Sequence, residues 1–94
     1  MPFQVADTYP FVGNWNSVPA IYGIMNAQRQ MIYIGQTDDL RRRMAEHQND
    51  RTHCMHRYAP ALVWAEVAQG SSEVTRCARE RQLILEYRPP CNQT

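Results

Sequence analysis

The sequence predicts an α+β domain, a small three-stranded antiparallel sheet flanked by helices. Two short β-branched and aromatic runs, AIYGIM and MIYI, are separated by the polar NAQRQ, the pattern of an antiparallel hairpin. A third such run, ALVWAEVA, lies at 61–68. Two segments of helical character, at about 38–48 and about 72–87, are interleaved with the strands in the order β-β-α-β-α.

Residues 1–19 carry Pro2, Pro10 and Pro19 among scattered aromatics (Phe3, Tyr9, Phe11, Trp15) and show no clean period, so they read as an irregular N-terminal arm. The domain proper is expected over 20–94. In the first hairpin, alternation puts Ala20, Tyr22 and Ile24 on one face, and Met31 and Tyr33 together on a face of the partner strand. Gly35 ends the second strand, and TDD supplies a cap and acids for the first turn of a helix starting at about Asp38. NDRTHCMHRYAP is a polar connection to the third strand. QGSSE then forms a turn with a serine cap for the second helix, which Pro89 and Pro90 stop.

At 94 residues there is room for one modest core and no second domain. No apolar run approaches the roughly 20 residues of a membrane span, and the N-terminus has neither the basic start nor the apolar stretch of a secretory signal. A cytoplasmic protein without membrane association is expected. Cys54, Cys77 and Cys91 are odd in number and widely spaced, so free thiols are expected rather than a disulfide. The net charge of +1 excludes a strongly basic protein, although all ten basic residues are arginine. Arginine suits bidentate phosphate contacts, but a coding bias would produce the same composition.

Two polar residues fall on an apolar helix face. At 100° per residue, Leu40 and Met44 lie within about 40° of each other with His47 between them, and Arg43 about 60° away on the same side. Arg41 and Arg42 point to the solvated side. A guanidinium on an inward face needs an anion, either a protein carboxylate or a bound phosphate. The second helix repeats the anomaly, because Glu80 has Cys77, Leu83, Ile84 and Tyr87 as its neighbours, whereas Glu86 sits among Gln82, Arg79 and Thr75. An Arg43–Glu80 ion pair between the helices is the plain structural reading. Tyr22 and Tyr33 on adjacent strands change the balance: two phenols, an arginine, a histidine and a glutamate form the inventory of a metal-assisted phosphodiester-cutting site.

At these residues the sequence resembles the GIY-YIG nuclease family. Its members include the N-terminal incision domain of bacterial nucleotide-excision repair, homing endonucleases and some restriction enzymes. Tyr33, Ile34, Gly35, Thr37, Leu40, Arg43 and His47 match its core motif YIGxTxxLxxRxxxH. Upstream, AIYGI is similar to the first motif with Tyr22 at its tyrosine, although Ala20 stands where glycine is usual. Downstream, Glu80, Leu83, Ile84, Pro89 and Asn92 match the closing segment ExxLIxxxxPxxN. The likeness covers residues 20–92, and its motifs are in the right order and spacing.

The resemblance implies a DNA endonuclease in which Glu80 anchors one divalent cation, Mg²⁺ or Mn²⁺, that offsets charge on the leaving 3′ oxygen. Arg43 would hold the non-bridging phosphoryl oxygens. Tyr22 is the candidate for deprotonating the attacking water, with Tyr33 as its partner and the runner-up. A phenol is a poor base at neutral pH, so Arg43 and the metal would have to lower its pKa. His47 would orient a phenol or relay a proton. Arg41, Arg42 and Asn92 are the substrate-side candidates, with Asn92 better suited to tying the tail to the site.

HCMH holds His53, Cys54 and His56, but without a second pair at zinc spacing it reads as a loop crossing the domain near the DNA. Trp15 and Trp64 are read as core rather than base-stacking residues. The partner is expected to be DNA, branched or single-stranded structures included, with a dimer or a protein partner as the other route to specificity. The alternative is a non-catalytic nucleic-acid-binding or interaction module on the same fold, in which Glu80 and Arg43 merely pair.

Overall fold

The structure, a computed structural model, describes residues 8–92. The first seven residues of the expected arm, Phe3 among them, and the last two residues lie outside the described part. The elements are strands β1 (Thr8–Pro10), β2 (Ala20–Met25) and β3 (Met31–Thr37), helix α1 (Leu40–Asn49), a short 3₁₀ helix (Cys54–Tyr58), strand β4 (Leu62–Val67), helix α2 (Glu73–Tyr87) and a 3₁₀ turn (Pro90–Asn92).

The fold is α+β, but the sheet has four strands, in the order β1-β4-β2-β3 and antiparallel throughout. The added strand comes from the arm: Thr8, Tyr9 and Pro10 pair with Trp64, Val63 and Leu62. Three residues ending in proline give too short a period to be legible, and proline is tolerated here because β1 is an edge strand.

The hairpin between β2 and β3 is closed by Asn26, whose Oδ1 accepts the backbone N–H groups of Gln28 and Gln30 at 3.0 and 2.9 Å. This local bonding of an asparagine to its own turn fixes the register. Tyr22 then lies opposite Gly35, and Ala20 opposite Thr37. Alanine at position 20 is fully buried and accommodated without a glycine.

Both faces of the sheet are covered. Ala20, Tyr22 and Ile24, with Ile32 and Val63, form a core with Leu40 and Met44 of α1 and Met55 of the first 3₁₀ helix. On the other face Ile21, Met25, Ile34 and Trp64 pack against Leu83 of α2. α1 is capped by Asp39, which accepts the Arg42 N–H at 3.2 Å, so the helix begins two residues later than expected. Ser72 caps α2 as expected. No described helix is long and apolar enough to cross a membrane.

The expectation of free thiols is overturned. Cys54 and Cys91 form a disulfide with Cα atoms 5.6 Å apart, and Cys77 is the free cysteine. The two cysteines are 37 residues apart in sequence. Chain folding brings the first 3₁₀ helix against the closing turn, a proximity that no local spacing encodes.

Candidate active site

Where β2 and β3 run toward the start of α1, register and helix phase bring the motif residues together. The hydroxyl of Tyr22 is the hub. It is 2.7 Å from His47 Nε2 and accepts a hydrogen bond from Arg43 Nε at 3.4 Å. Arg43 and His47 are one turn apart on α1, so a single helix face presents both to the strand. The ring of Tyr33 lies 6.3 Å from that of Tyr22 and 5.7 Å from that of His47, centroid to centroid.

Gly35 makes this approach possible. A Cβ built on it would collide with Oη and Cζ of Tyr22, its cross-strand partner, so only a bare Cα lets the phenol lie flat along β3. The glycine and tyrosine of the two strand motifs are therefore one steric unit.

Electrostatics follow from burial. Tyr22 is fully buried, and burial followed by the neighbouring Tyr33 drives its pKa upward against the pull of Arg43. Tyr33 is half-buried and also raised by burial, with Arg43 opposing. His47, at 5% exposure, is pushed down to about 4 by burial and then by the positive charge of Arg43. At neutral pH the imidazole is therefore uncharged, and its tautomer sets which partner donates in the bond between Nε2 and the Tyr22 hydroxyl.

Arg43 is half-buried, and its carboxylate partner is Glu46, at 3.3 Å on its own helix. The Arg43–Glu80 pair considered from the sequence is not formed. Glu80, half-buried on α2, makes no ion pair among the described residues and feels the backbone N–H of Gln36. Burial pushes its carboxyl above the usual range, while the Gln36 N–H, Arg43 and Arg81 pull it back. Its charge raises both phenols, which places it on the same side of the sheet end.

Among the described residues no three metal-ligating side chains cluster. Glu80, which has no ion-pair partner among the described residues, is the carboxylate here that could hold a hard divalent ion, with water and phosphate oxygens completing its shell.

Asn92 is engaged at both ends of its amide. Its Oδ1 accepts Ile34 N–H at 2.8 Å and its Nδ2 donates to Ile34 C=O at 2.9 Å. β3 is an edge strand, and this side chain stands in for a neighbouring strand at the residue between Tyr33 and Gly35. Arg42 pairs with Asp38 at 2.6 Å on the exposed surface, and Arg41 is exposed.

Two residues escaped sequence reasoning. His53, set aside with HCMH, lies 4.8 Å from the Tyr33 ring and 5.3 Å from His47. Its Nδ1 accepts the Met55 N–H, and its neighbour Cys54 is bound in the disulfide. No local signal marked it. Arg76 is 7% exposed and donates from Nε to the Gln36 side chain at 3.0 Å. It is four residues before Glu80, and the face test applied to Arg43 would have found it.

The sequence of residues 18–93 matches the GIY-YIG catalytic domain. The chain belongs to the GIY-YIG catalytic domain family. It is also similar to proteins named UvrABC system protein C. One from Pseudomonas putida is 30% identical over 94 residues, covering 95% of this chain and 15% of that protein. One from Rhodopseudomonas palustris is 28% identical over 76 residues, covering 79% of this chain and 11% of that protein. The chain thus spans only a small fraction of the length of these relatives. In GIY-YIG terms, the tyrosine of the first motif, the tyrosine and glycine of the second, and the arginine and histidine that follow meet here at one strand end.

Proposed function

We propose that this GIY-YIG domain is a metal-dependent endonuclease that hydrolyses DNA phosphodiester bonds. The observation that carries the reading is the Tyr22 hydroxyl held at 2.7 Å from an uncharged His47, with Arg43 on its other side. A phenol hydrogen-bonded to a neutral imidazole has an acceptor for its proton once Arg43 and a bound cation draw the raised phenol pKa down.

In this reading Arg43 binds the non-bridging oxygens of the scissile phosphate through its fork. Tyr22 Oη takes a proton from the attacking water while its own proton passes to His47 Nε2. The resulting hydroxide adds to phosphorus, the bond to the 3′ oxygen breaks, and that oxygen leaves to be protonated by solvent. Tyr33, the more exposed phenol, holds the water. A divalent cation held by Glu80, Mg²⁺ or Mn²⁺, would supply charge stabilisation at the leaving oxygen. Membership of the GIY-YIG catalytic domain family supports nucleic acid as the substrate class.

The test is cleavage of supercoiled plasmid and of branched and single-stranded oligonucleotides with Mg²⁺ or Mn²⁺. Nicking by the wild type that is lost in Glu80→Ala and in Tyr22→Phe is the expected result. Loss in Tyr33→Phe with turnover retained in Tyr22→Phe would exchange the two phenols' roles. A folded wild type that binds these nucleic acids and cuts none with either metal would make the domain a binding module.

A further inference from the structure

Beside the phenol cluster, between the end of β3 and the first turns of α1 and α2, lies a groove of about 270 Å³. Arg43 lines both this groove and the pocket that holds His47 and His53, so the two are neighbours. Its deepest cation is Arg76, 7% exposed. The Arg76 fork donates to neutral acceptors: Nε to Gln36 Oε1, and Nη1 to the backbone oxygen and Oγ of Ser71, each at 3.0 Å. No carboxylate pairs with it among the described residues.

That is an unusual state for a buried guanidinium. Charges removed from water are normally paired, and neither carboxylate that lines this groove forms an ion pair with Arg76, although the charge of Arg76 does help to lower the Asp38 carboxyl. Asp38 is bound to Arg42, and Glu73 is exposed on the rim. Arg79 on the same helix, by contrast, has Glu66 at 2.9 Å. The Arg76 site is one where the protein supplies a cation with no contacting carboxylate among the described residues.

We infer that this groove is a second phosphate subsite, in which Arg76, with Arg42 at the rim, holds the backbone phosphate next to the one cleaved. The inference rests on the proposed nuclease reading. Gln36 links the two positions, because its side chain receives Arg76 while its backbone N–H pulls the Glu80 carboxyl down. A phosphate bound at Arg76 would thus share Gln36 with the carboxylate expected to hold the metal. Such a contact fixes the strand without reading sequence.

The experiment measures binding of a short DNA duplex as a function of salt, in the Glu80→Gln background so that no cleavage occurs. One phosphate contact contributes about 0.9 to the slope of log K against log salt. In R76Q the slope is expected to fall by about 1, and R76K, which keeps the charge but not the fork, is expected to recover most of it. A residue that only clamps Gln36 to Ser71 would change the melting temperature and leave the slope alone.

Should R76Q not fold, E73Q tests the same groove from its exposed rim. Removing that carboxylate is expected to tighten DNA binding about two- to fivefold. An unchanged slope in folded R76Q, or unchanged affinity in E73Q where R76Q does not fold, overturns the subsite. If the wild type neither binds nor cuts DNA, the nuclease reading itself fails and the subsite with it. If it binds and cuts while R76Q keeps the full slope, only the subsite fails.

Discussion

The phenol of Tyr22 lies across the Cα of Gly35, its partner on the adjacent strand, so closely that no Cβ fits between them. This contact lets the hydroxyl reach His47 and Arg43 on α1. Gly35→Ala is therefore expected to displace the ring rather than merely stiffen the strand. Overpacking of this kind costs about 1–3 kcal/mol, and a displacement of about 1 Å at a reacting group costs about 10²-fold in turnover. Thermal melts and plasmid nicking of Gly35→Ala check both. In a Tyr22→Ala background the same glycine substitution should cost little stability, because nothing remains for the Cβ to strike.

His47 makes stability depend on pH. Its folded pKa of about 4 lies below the ordinary 6.5, so between these values the unfolded chain binds the proton and the folded chain does not. Stability from this group is complete above about pH 6.5 and is lost as pH falls toward 4. The window spans values that correspond to an effect on the order of 3 kcal/mol. Burial lowers His53 in the same direction, whereas Glu80, raised by burial, acts in the opposite sense. Urea denaturation from pH 7 to pH 4 should show a steeper fall for the wild type than for His47→Gln, and the difference isolates this residue.

Asn92 completes the edge of β3. Asn92→Ala would leave the N–H and C=O of Ile34 without protein partners, a loss of about 1–3 kcal/mol. Asn92→Asp keeps an acceptor but sets it against the Ile34 carbonyl, so it should be no better than alanine. Hydrogen exchange at the Ile34 amide is the direct readout, and acceleration there ahead of the hairpin's other amides is expected.

The Cys54–Cys91 bond ties the 3₁₀ helix that follows His53 to the turn that carries Asn92. Its sequence separation of 37 residues corresponds to about 4 kcal/mol in the chain-entropy picture. Reduction should lower the denaturation midpoint, and the unfolded chain should titrate one thiol before reduction and three after. Since His53 packs on Tyr33, the Tyr33 ring resonances should shift on reduction as well.

The sequence by itself determined the three longer strands, both helices, and the phases that turn Arg43, His47 and Glu80 away from bulk solvent, because periodicity and capping are local. It also carried the family motifs, whose residues are close in sequence or fixed by hairpin register. Only the tertiary structure decided the rest. The edge strand Thr8–Pro10 exists because β4 offers it unpaired backbone, and the disulfide exists because the closing turn folds back on the first 3₁₀ helix. Arg43 pairs with Glu46 rather than Glu80 because a carboxylate one turn away reaches it more easily than one on the facing helix. His53 reaches the phenols from a segment with no period of its own, and Arg76 becomes buried only when α2 lands against Gln36. Each of these depends on segments distant in sequence meeting in space, and no local pattern records which of those meetings occurs.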